Sequence, residues 1–368
     1  EQAQSLMNPG AGFYNRAMLT LAERLCHSTG SDQVHFLNTG AEANEGAIKL
    51  ARKWGQLHRN GAYHIITASQ GSLHIDQVHL EFARPVLILP EFSWQAIVGV
   101  ALPLFVVFLA GFGMKAGMFP MHVWLPEAHP AAPSHVSALM SGVIHKAGLY
   151  ALLRFTLLIG KPDEWMGWFL IAFSVTSAVI GGLYTVGQRD LKRLLGYSST
   201  ENVGIAGIGV GVGCLGLTWG NTTLAVLGFG GGLLHVLNHA FFKCQLFYAA
   251  GCVYQIKHVV DIERLGGLFK LMPVTAVCFI VGGVAISALP PFNGFASEFV
   301  IYSGLFSSET MRIWAKLALA VVGAALAFVG AVSALSITRA FGVIFLGAAR
   351  DDSLPEAHEA SRWMLAPM

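Results

Sequence analysis

The sequence predicts an all-α integral membrane protein of about seven spanning helices, two of them broken, preceded by a small α/β fragment. Three observations predict it. Hydrophobic residues make up 54% of the 368-residue chain and charged residues only 12%, where soluble domains carry about 25% charged residues. From residue 94 onward, apolar stretches recur that reach the ~20 residues a spanning helix needs. Before that point charges are dense (Glu23, Arg24, Glu42, Glu45, Lys49, Arg52, Lys53) and the pattern is that of a soluble protein.

Three segments follow from this: 1–76, a junction at 77–93, and a transmembrane domain at 94–368. In the first, residues 34–37 read as a strand, Asn38-Thr39-Gly40-Ala41 as a turn, 42–54 as an amphipathic helix and 64–67 as a second strand. A strand–turn–helix unit offers free backbone N–H groups to a phosphate. That signal is weak alone, because many α/β turns share it. The strings "FYNRAMLTLAERL", "VHFLNTGAEANEGAIKLARKWG" and "YHIITASQGSLH" are more specific. They resemble class III pyridoxal-phosphate aminotransferases of the acetylornithine type. The resemblance implies that Thr39, Gly40 and Ala41 form the segment that cradles the cofactor phosphate. It stops at His74, and the Schiff-base lysine that transamination requires has no counterpart. Residues 1–76 are therefore expected to be a truncated, inactive remnant. The chain begins at Glu1 without Met or signal peptide, so a fragment is expected.

Seven apolar stretches carry the transmembrane prediction: 94–118, 135–159, 165–186, 194–217, 224–254, 273–306 and 314–346. The first ends at Gly111, Gly113, Gly117 and Pro120, and the sixth is interrupted at Pro290-Pro291-Phe292-Asn293-Gly294. Both are expected to be broken, and the fifth, with Gly228 and Gly230 to Gly232, to be broken or tilted. Paired broken helices free backbone groups at membrane depth and point to a transport site, whereas a proline kink alone carries no function. By the positive-inside rule, the end bearing Arg189, Lys192, Arg193, Lys257, Arg264 and Lys270 faces the cytoplasm, against Lys161, Arg312 and Lys316 opposite. The expected location is the inner (plasma) membrane.

Isolated charges then mark the chemistry. Lys115 is the one Asp, Glu, Lys or Arg between Phe92 and Pro126, and Lys243 the one between Asn221 and Ile256. A charge at the bilayer centre costs roughly 2.5–3.5 kcal/mol on insertion scales, so it calls for a reason. Lys115 and Lys146 fall in consecutive spans, and a desolvated lysine readily exchanges its proton. Snorkelling to the interface is the plainer alternative, easier for Lys115 than for Lys146. His235, His239 and Lys243 stand at i, i+4 and i+8 on one helix face, suiting either a relay of imidazoles to an amine or a polar seam between helices. Glu298 follows the second break. Glu201 is expected at the mouth of the fourth span, paired with Lys192 or Arg193.

Long strings around these residues carry a second resemblance. "GFGMKAGMFPMHVWLPEAHPAAPSHVSALMSGVIHKAGLYALLRF", "RDLKRLLGYSSTENVGI", "HAFFKCQLFYAAG" and "ERLGGLFKLMPVTAVCF…ALPPFNGFASEF" resemble the antiporter-like proton-pumping subunits of complex I and formate-hydrogenlyase-type hydrogenases. The resemblance implies inverted five-helix repeats, the second complete and the first represented by its last two helices. It implies that Lys115 and Lys146 are the paired central lysines, His235, His239 and Lys243 the hydrophilic axis of the second half, and Glu298 its terminal carboxylate. Proton-transfer roles are thus expected for Lys115, Lys146, Lys192, Glu201, His235, His239, Lys243 and Glu298.

Other classes lack support. A formal charge of +2 and the absence of a basic run argue against nucleic acid. Cys26, Cys214, Cys244, Cys252 and Cys278 form no CxxC, so haem, iron–sulfur and zinc sites are not expected, and no cofactor is assigned. The expected function is a redox-coupled proton-translocating subunit, without a redox centre of its own, in a hydrogenase or NADH-dehydrogenase-type complex. Its partners are the other membrane and peripheral redox subunits and the lipid bilayer. A Na⁺/H⁺ antiporter or ion-coupled uptake subunit of the same fold is the first alternative, and an aminotransferase fragment the second.

Overall fold

The computed structural model describes residues 94–158, 162–307 and 312–368, with backbone alone for 94–104 and 158. Expectations for Thr39, Gly40, Ala41, the α/β fragment and the 77–93 junction lie outside the described residues. The chain divides after Glu91, and the second unit is described by itself.

Its helices are α1 (Trp94–Ala116), α2 (Trp124–Ala131), α3 (Ser134–Leu139), a π-helical turn (Met140–Ile144), α4 (His145–Leu158), α5 (Glu164–Val186), α6 (Leu191–Trp219), α7 (Thr222–Lys257), α8 (Pro273–Ile286), α9 (Asn293–Phe306), α10 (Ile313–Phe345) and α11 (Arg362–Leu365). Among the described residues there is no strand, only one antiparallel bridge between Asp190 and Asp261. Among the described residues, five helical stretches are long and apolar enough to cross a membrane: Ser134–Leu157, Glu164–Val186, Leu191–Trp219, Thr222–Lys257 and Ile313–Phe345. This is a multi-pass membrane protein. Phe105–Ala116, the part of the 23-residue α1 whose side chains are described, and Pro273–Ile286 are further apolar helices, so the described residues hold five such stretches and two shorter ones, and the count of seven is not confirmed.

Both breaks fall where glycine and proline predict them. After α1 the chain turns through Gly117 (φ 74°) and the cis Phe119–Pro120 bond before α2 begins. Between α8 and α9 it passes through Ala288 (φ 50°) and the cis Pro290–Pro291 bond. Of the two expectations for the fifth span, broken or tilted, the break is corrected: α7 runs unbroken for 36 residues. Its glycines serve close packing instead. A Cβ on Gly228 would collide with the Gly213 backbone, and one on Gly231 would stand 2.8 Å from Ile301.

α6 is the central post, almost wholly buried. The Asp190 carboxylate caps its first turn by accepting from the Arg193 amide at 2.9 Å, which satisfies one of the amides a helix start leaves free. Small residues then let α5 reach it backbone to backbone. A Cβ on Gly204 would stand 2.5 Å from the Ala178 nitrogen and 2.6 Å from the Ser174 carbonyl oxygen. Between apolar helices in lipid, such close van der Waals approach is a main source of association.

At one end the connections are laced together. The Leu191 amide donates to Val260 O at 2.9 Å and the Ile262 amide to Arg189 O at 2.8 Å. Arg339 donates to the Val186 and Gln188 carbonyls and pairs with Glu263 at 2.9 Å. The C-terminal segment folds back here: Lys257 donates to Pro355 O at 2.6 Å, and Arg264 pairs with Asp351 at 2.7 Å. The Ser353 hydroxyl and Arg264 hold the Asp351 carboxyl down at about 2. A depressed carboxyl favours the folded contact above its ordinary pKa and loses that advantage as pH falls toward 2. The anchor is therefore intact at neutral pH.

Gly204→Leu should force α5 and α6 apart at a cost of about 3 kcal/mol or more, seen as a lower melting temperature of the detergent-solubilised subunit. Gly330→Ala, at a site with open space around it, should leave the melting temperature unchanged.

Candidate functional site

The site is built on α7. His235, His239 and Lys243 project from one face at one-turn intervals, and the three are 1%, 2% and 0% exposed. Each is held by a different neighbour. His235 lies between Ser297 Oγ at 3.0 Å through Nδ1 and Asn202 Oδ1 at 3.2 Å through Nε2, bridging α9 and α6. The His239 ring stands edge-on to Phe242 with centroids 5.4 Å apart, and its Nε2 has no hydrogen-bond partner among the described residues. Lys243 Nζ donates to Leu195 O on α6 at 2.7 Å and lies 5.9 Å from the Phe247 ring.

Lys146 approaches the same face from α4. The π-helical turn before it displaces the helical hydrogen bonds, and Lys146 Nζ donates to Ser141 O at 2.5 Å. That turn is clamped from two sides. Ser141 and Ser199 hydroxyls share a 2.8 Å hydrogen bond, and Gly142 packs so close to the Cys244 sulfur that a Cβ could not fit. Lys146, Asn202, His235 and His239 together line a cavity of about 10 Å³, room for about one water. A larger apolar crevice of about 290 Å³, lined by Tyr150, Leu153, Leu233 and Val236, also reaches Lys146.

The carboxyls complete the line. Glu201 is 0% exposed, ten residues inside α6, within electrostatic range of Lys243. Its carboxyl lies beside the Ser333 hydroxyl of α10 without a well-directed hydrogen bond between them. Glu298, 4% exposed on α9, is the next charge beyond Glu201. Buried groups that interact in this way cannot change protonation independently. Lys146, His235, His239, Lys243, Glu201 and Glu298 thus form a string of titratable groups inside the bundle, all but Lys146 at most 4% exposed.

One expectation is corrected. Glu201 pairs with neither Lys192 nor Arg193, since nine residues of helix place Lys192 about 13 Å away along the axis. Arg193 pairs with Glu127, and Lys192 donates to Ala132 O at 2.9 Å while lying 4.8 Å over the Tyr254 ring. Lys115, at the end of α1, is exposed and is not brought together with Lys146 and the histidines. Asn202, Ser297 and Ser333 were not singled out from the sequence, because hydroxyls and amides are common in apolar helices. Asn202 carried the best signal, standing directly beside the isolated Glu201.

Two family models match the chain. The NADH:quinone oxidoreductase/Mrp antiporter transmembrane model matches residues 62–327, and the class-III aminotransferase model matches residues 1–76. The chain belongs to the NADH:quinone oxidoreductase/Mrp antiporter membrane family. Hydrogenase-4 component B of Escherichia coli (strain K12) is 42% identical over 275 residues, 73% of this chain and 41% of that relative. Formate hydrogenlyase subunit 3 of the same strain is 40% identical over 259 residues, covering 70% and 42%. The chain thus spans about two fifths of the length of these relatives. A chain of the archaeal membrane-bound sulfane sulfur reductase has the same fold, with a TM-score of 0.64 at 24% identity over 90% of this chain and 51% of that one.

Asn202→Ala should leave His235 Nε2 buried without its protein partner, costing about 1–3 kcal/mol. Thermal unfolding of the solubilised subunit should show the loss, and an unchanged melting temperature would contradict the assigned hydrogen bond.

Proposed function

We propose that residues 94–368 are the transmembrane part of a redox-coupled proton-translocating subunit. The observation that carries this is the buried string from Lys146 through His235, His239 and Lys243 to Glu201 and Glu298. A bundle has no structural need for two desolvated amines beside two desolvated carboxyls; apolar residues of similar volume would serve stability as well or better. Their use is that each can exist charged or neutral, so a proton arriving at one shifts the balance at the next.

In this reading the subunit holds no redox centre. Electron transfer in partner subunits changes the charge at one end of the string, and alternating protonation of lysine and glutamate passes the change along. Each proton moved against 100 mV requires about 2.3 kcal/mol, supplied by the partners. The names of the matched relatives favour a hydrogenase-type or NADH-dehydrogenase-type assembly. The location is the cell inner membrane, with the Arg189 to Lys192 end cytoplasmic. Lys192 would stand at the cytoplasmic mouth of the string, and Lys115 would serve as the lysine of the neighbouring half, beyond the string itself.

Residues 1–76 are assigned as a separate domain joined through 77–93, with Thr39, Gly40 and Ala41 a vestigial phosphate segment and no catalysis of their own. A second reading, Na⁺/H⁺ exchange, is favoured by the Mrp antiporter members of the family. Dependence of transport on Na⁺ would select it.

In the full-length parent complex reconstituted in vesicles, Lys146→Ala and Lys243→Ala should each abolish proton translocation while the complex still assembles. Unchanged pumping in both would overturn the proposal.

A further inference from the structure

His235 is held at both ring nitrogens, and its two partners are not equivalent. Nε2 lies 3.2 Å from Asn202 Oδ1, and Nδ1 lies 3.0 Å from Ser297 Oγ. Both partners are buried, Ser297 at 0% and Asn202 at 1% exposure. Which ring nitrogen carries hydrogen follows from matching donors to acceptors.

The Asn202 amide has a fixed orientation. Its Nδ2 donates to Ser198 O, one turn earlier in α6, at 2.8 Å, so the amide oxygen is the atom that faces the ring. An amide oxygen accepts and does not donate. Nε2 must therefore carry hydrogen, because a bare nitrogen there would set two acceptors against each other in a low-dielectric interior. Nδ1 is then the lone-pair nitrogen of the neutral ring.

Ser297 has a single hydroxyl hydrogen and two close acceptors for it. Gly294 O stands 2.9 Å from Oγ, against 3.0 Å for Nδ1, with Asn293 O farther away at 3.4 Å. Asn238 of α7 donates to Asn293 O at 2.7 Å, which pins the first turn of α9 to the helix that bears His235. The hydroxyl can therefore turn while both backbones stay in place. Beside a neutral ring it donates to Nδ1. Beside an imidazolium, whose Nδ1 also carries hydrogen, it accepts from the ring and donates to Gly294 O. The titratable groups facing the ring are His239 on α7, with centroids 6.5 Å apart, and Lys146 on α4, which lines the same cavity.

We infer that Ser297 is a positioning residue for His235. With Asn202 it holds the neutral ring in the Nε2–H tautomer and makes Nδ1 the nitrogen that gains and loses the proton. Its hydroxyl satisfies both charge states by turning between Nδ1 and Gly294 O. When His235 takes a proton, an N–H bond breaks at a neighbouring ammonium or imidazolium of the string and one forms at Nδ1; no electron moves. The part this plays in transport rests on the proton-translocating reading above, whereas the tautomer rests on hydrogen bonding alone.

The test uses the full-length subunit in its membrane complex, in lipid, with nitrogen-15-labelled histidine. Solid-state NMR separates protonated from bare ring nitrogens, and subtracting the spectrum of His235→Gln isolates the His235 signals. The neutral ring should show hydrogen on Nε2 and a bare Nδ1. Hydrogen on Nδ1 of the neutral ring would overturn the inference. In vesicles, Ser297→Ala should lower proton translocation roughly tenfold or more, and Ser297→Thr, which keeps the hydroxyl, should restore it. Parental pumping in Ser297→Ala, alongside loss of pumping in Lys243→Ala, would overturn the role of Ser297 and leave the string standing. Normal pumping in Lys243→Ala as well would overturn the proton-translocating reading itself. The parent spectrum decides the tautomer even if a serine variant fails to assemble.

Discussion

The structure depends on keeping the Lys243 amine out of water. It sits at 0% exposure on an apolar helix, with a backbone carbonyl at 2.7 Å and Glu201 as its carboxyl neighbour. Desolvating an amine is costly unless something nearby compensates. That cost organises the surroundings. α6 must come close enough to offer Leu195 O, which the small residues along α5, α6 and α7 permit. α10 must place Ser333 beside Glu201. The π-helical turn must free Ser141 O for Lys146, the second amine in the same low-dielectric interior. Remove the two amines and these features lose their common purpose.

The same constraint explains why stability and function pull in different directions here. The apolar clusters around Phe279, Ile337 and Phe345, and around Ile205, Leu305 and Leu326, supply ordinary packing. The string runs beside them as polar groups whose partners are few: both Glu201 oxygens and His239 Nε2 lack hydrogen bonds among the described residues. Groups left in that condition respond strongly to any added charge, because little in the static structure fixes their protonation. Under the proposed proton-translocating function, this sensitivity is what a device driven from outside the subunit requires.

Much of this was legible in the sequence, for a physical reason. Lys243 and Lys146 stand out because charges are rare in apolar helices, and both breaks stand out because glycine and proline are poor helix formers. The face shared by His235, His239 and Lys243 follows from spacing alone. What stayed hidden depends on tertiary contacts. Gly228 and its neighbours looked like a break or a tilt but serve helix contact in an unbroken α7. Glu201 looked like a partner for Lys192, though a helix separates them by more than two turns. The π-helical turn has no residue signature. Lys115 shares its rarity with Lys243 but not its burial, so isolation in sequence marks a charge without fixing which way it faces.

The central claim is that the string conducts protons, and conduction requires that water reach it at least transiently. The static cavity beside Lys146, His235 and His239 holds about 10 Å³, so hydration must come from the working protein. The most direct measurement is a high-resolution cryo-electron microscopy map of the full-length subunit in its complex, in a lipid nanodisc during turnover. The account predicts ordered water joining Lys146, His239, Lys243 and Glu201 in at least one state. A dry, side-chain-filled interior in every state, with the amines locked onto Ser141 O and Leu195 O, would contradict it.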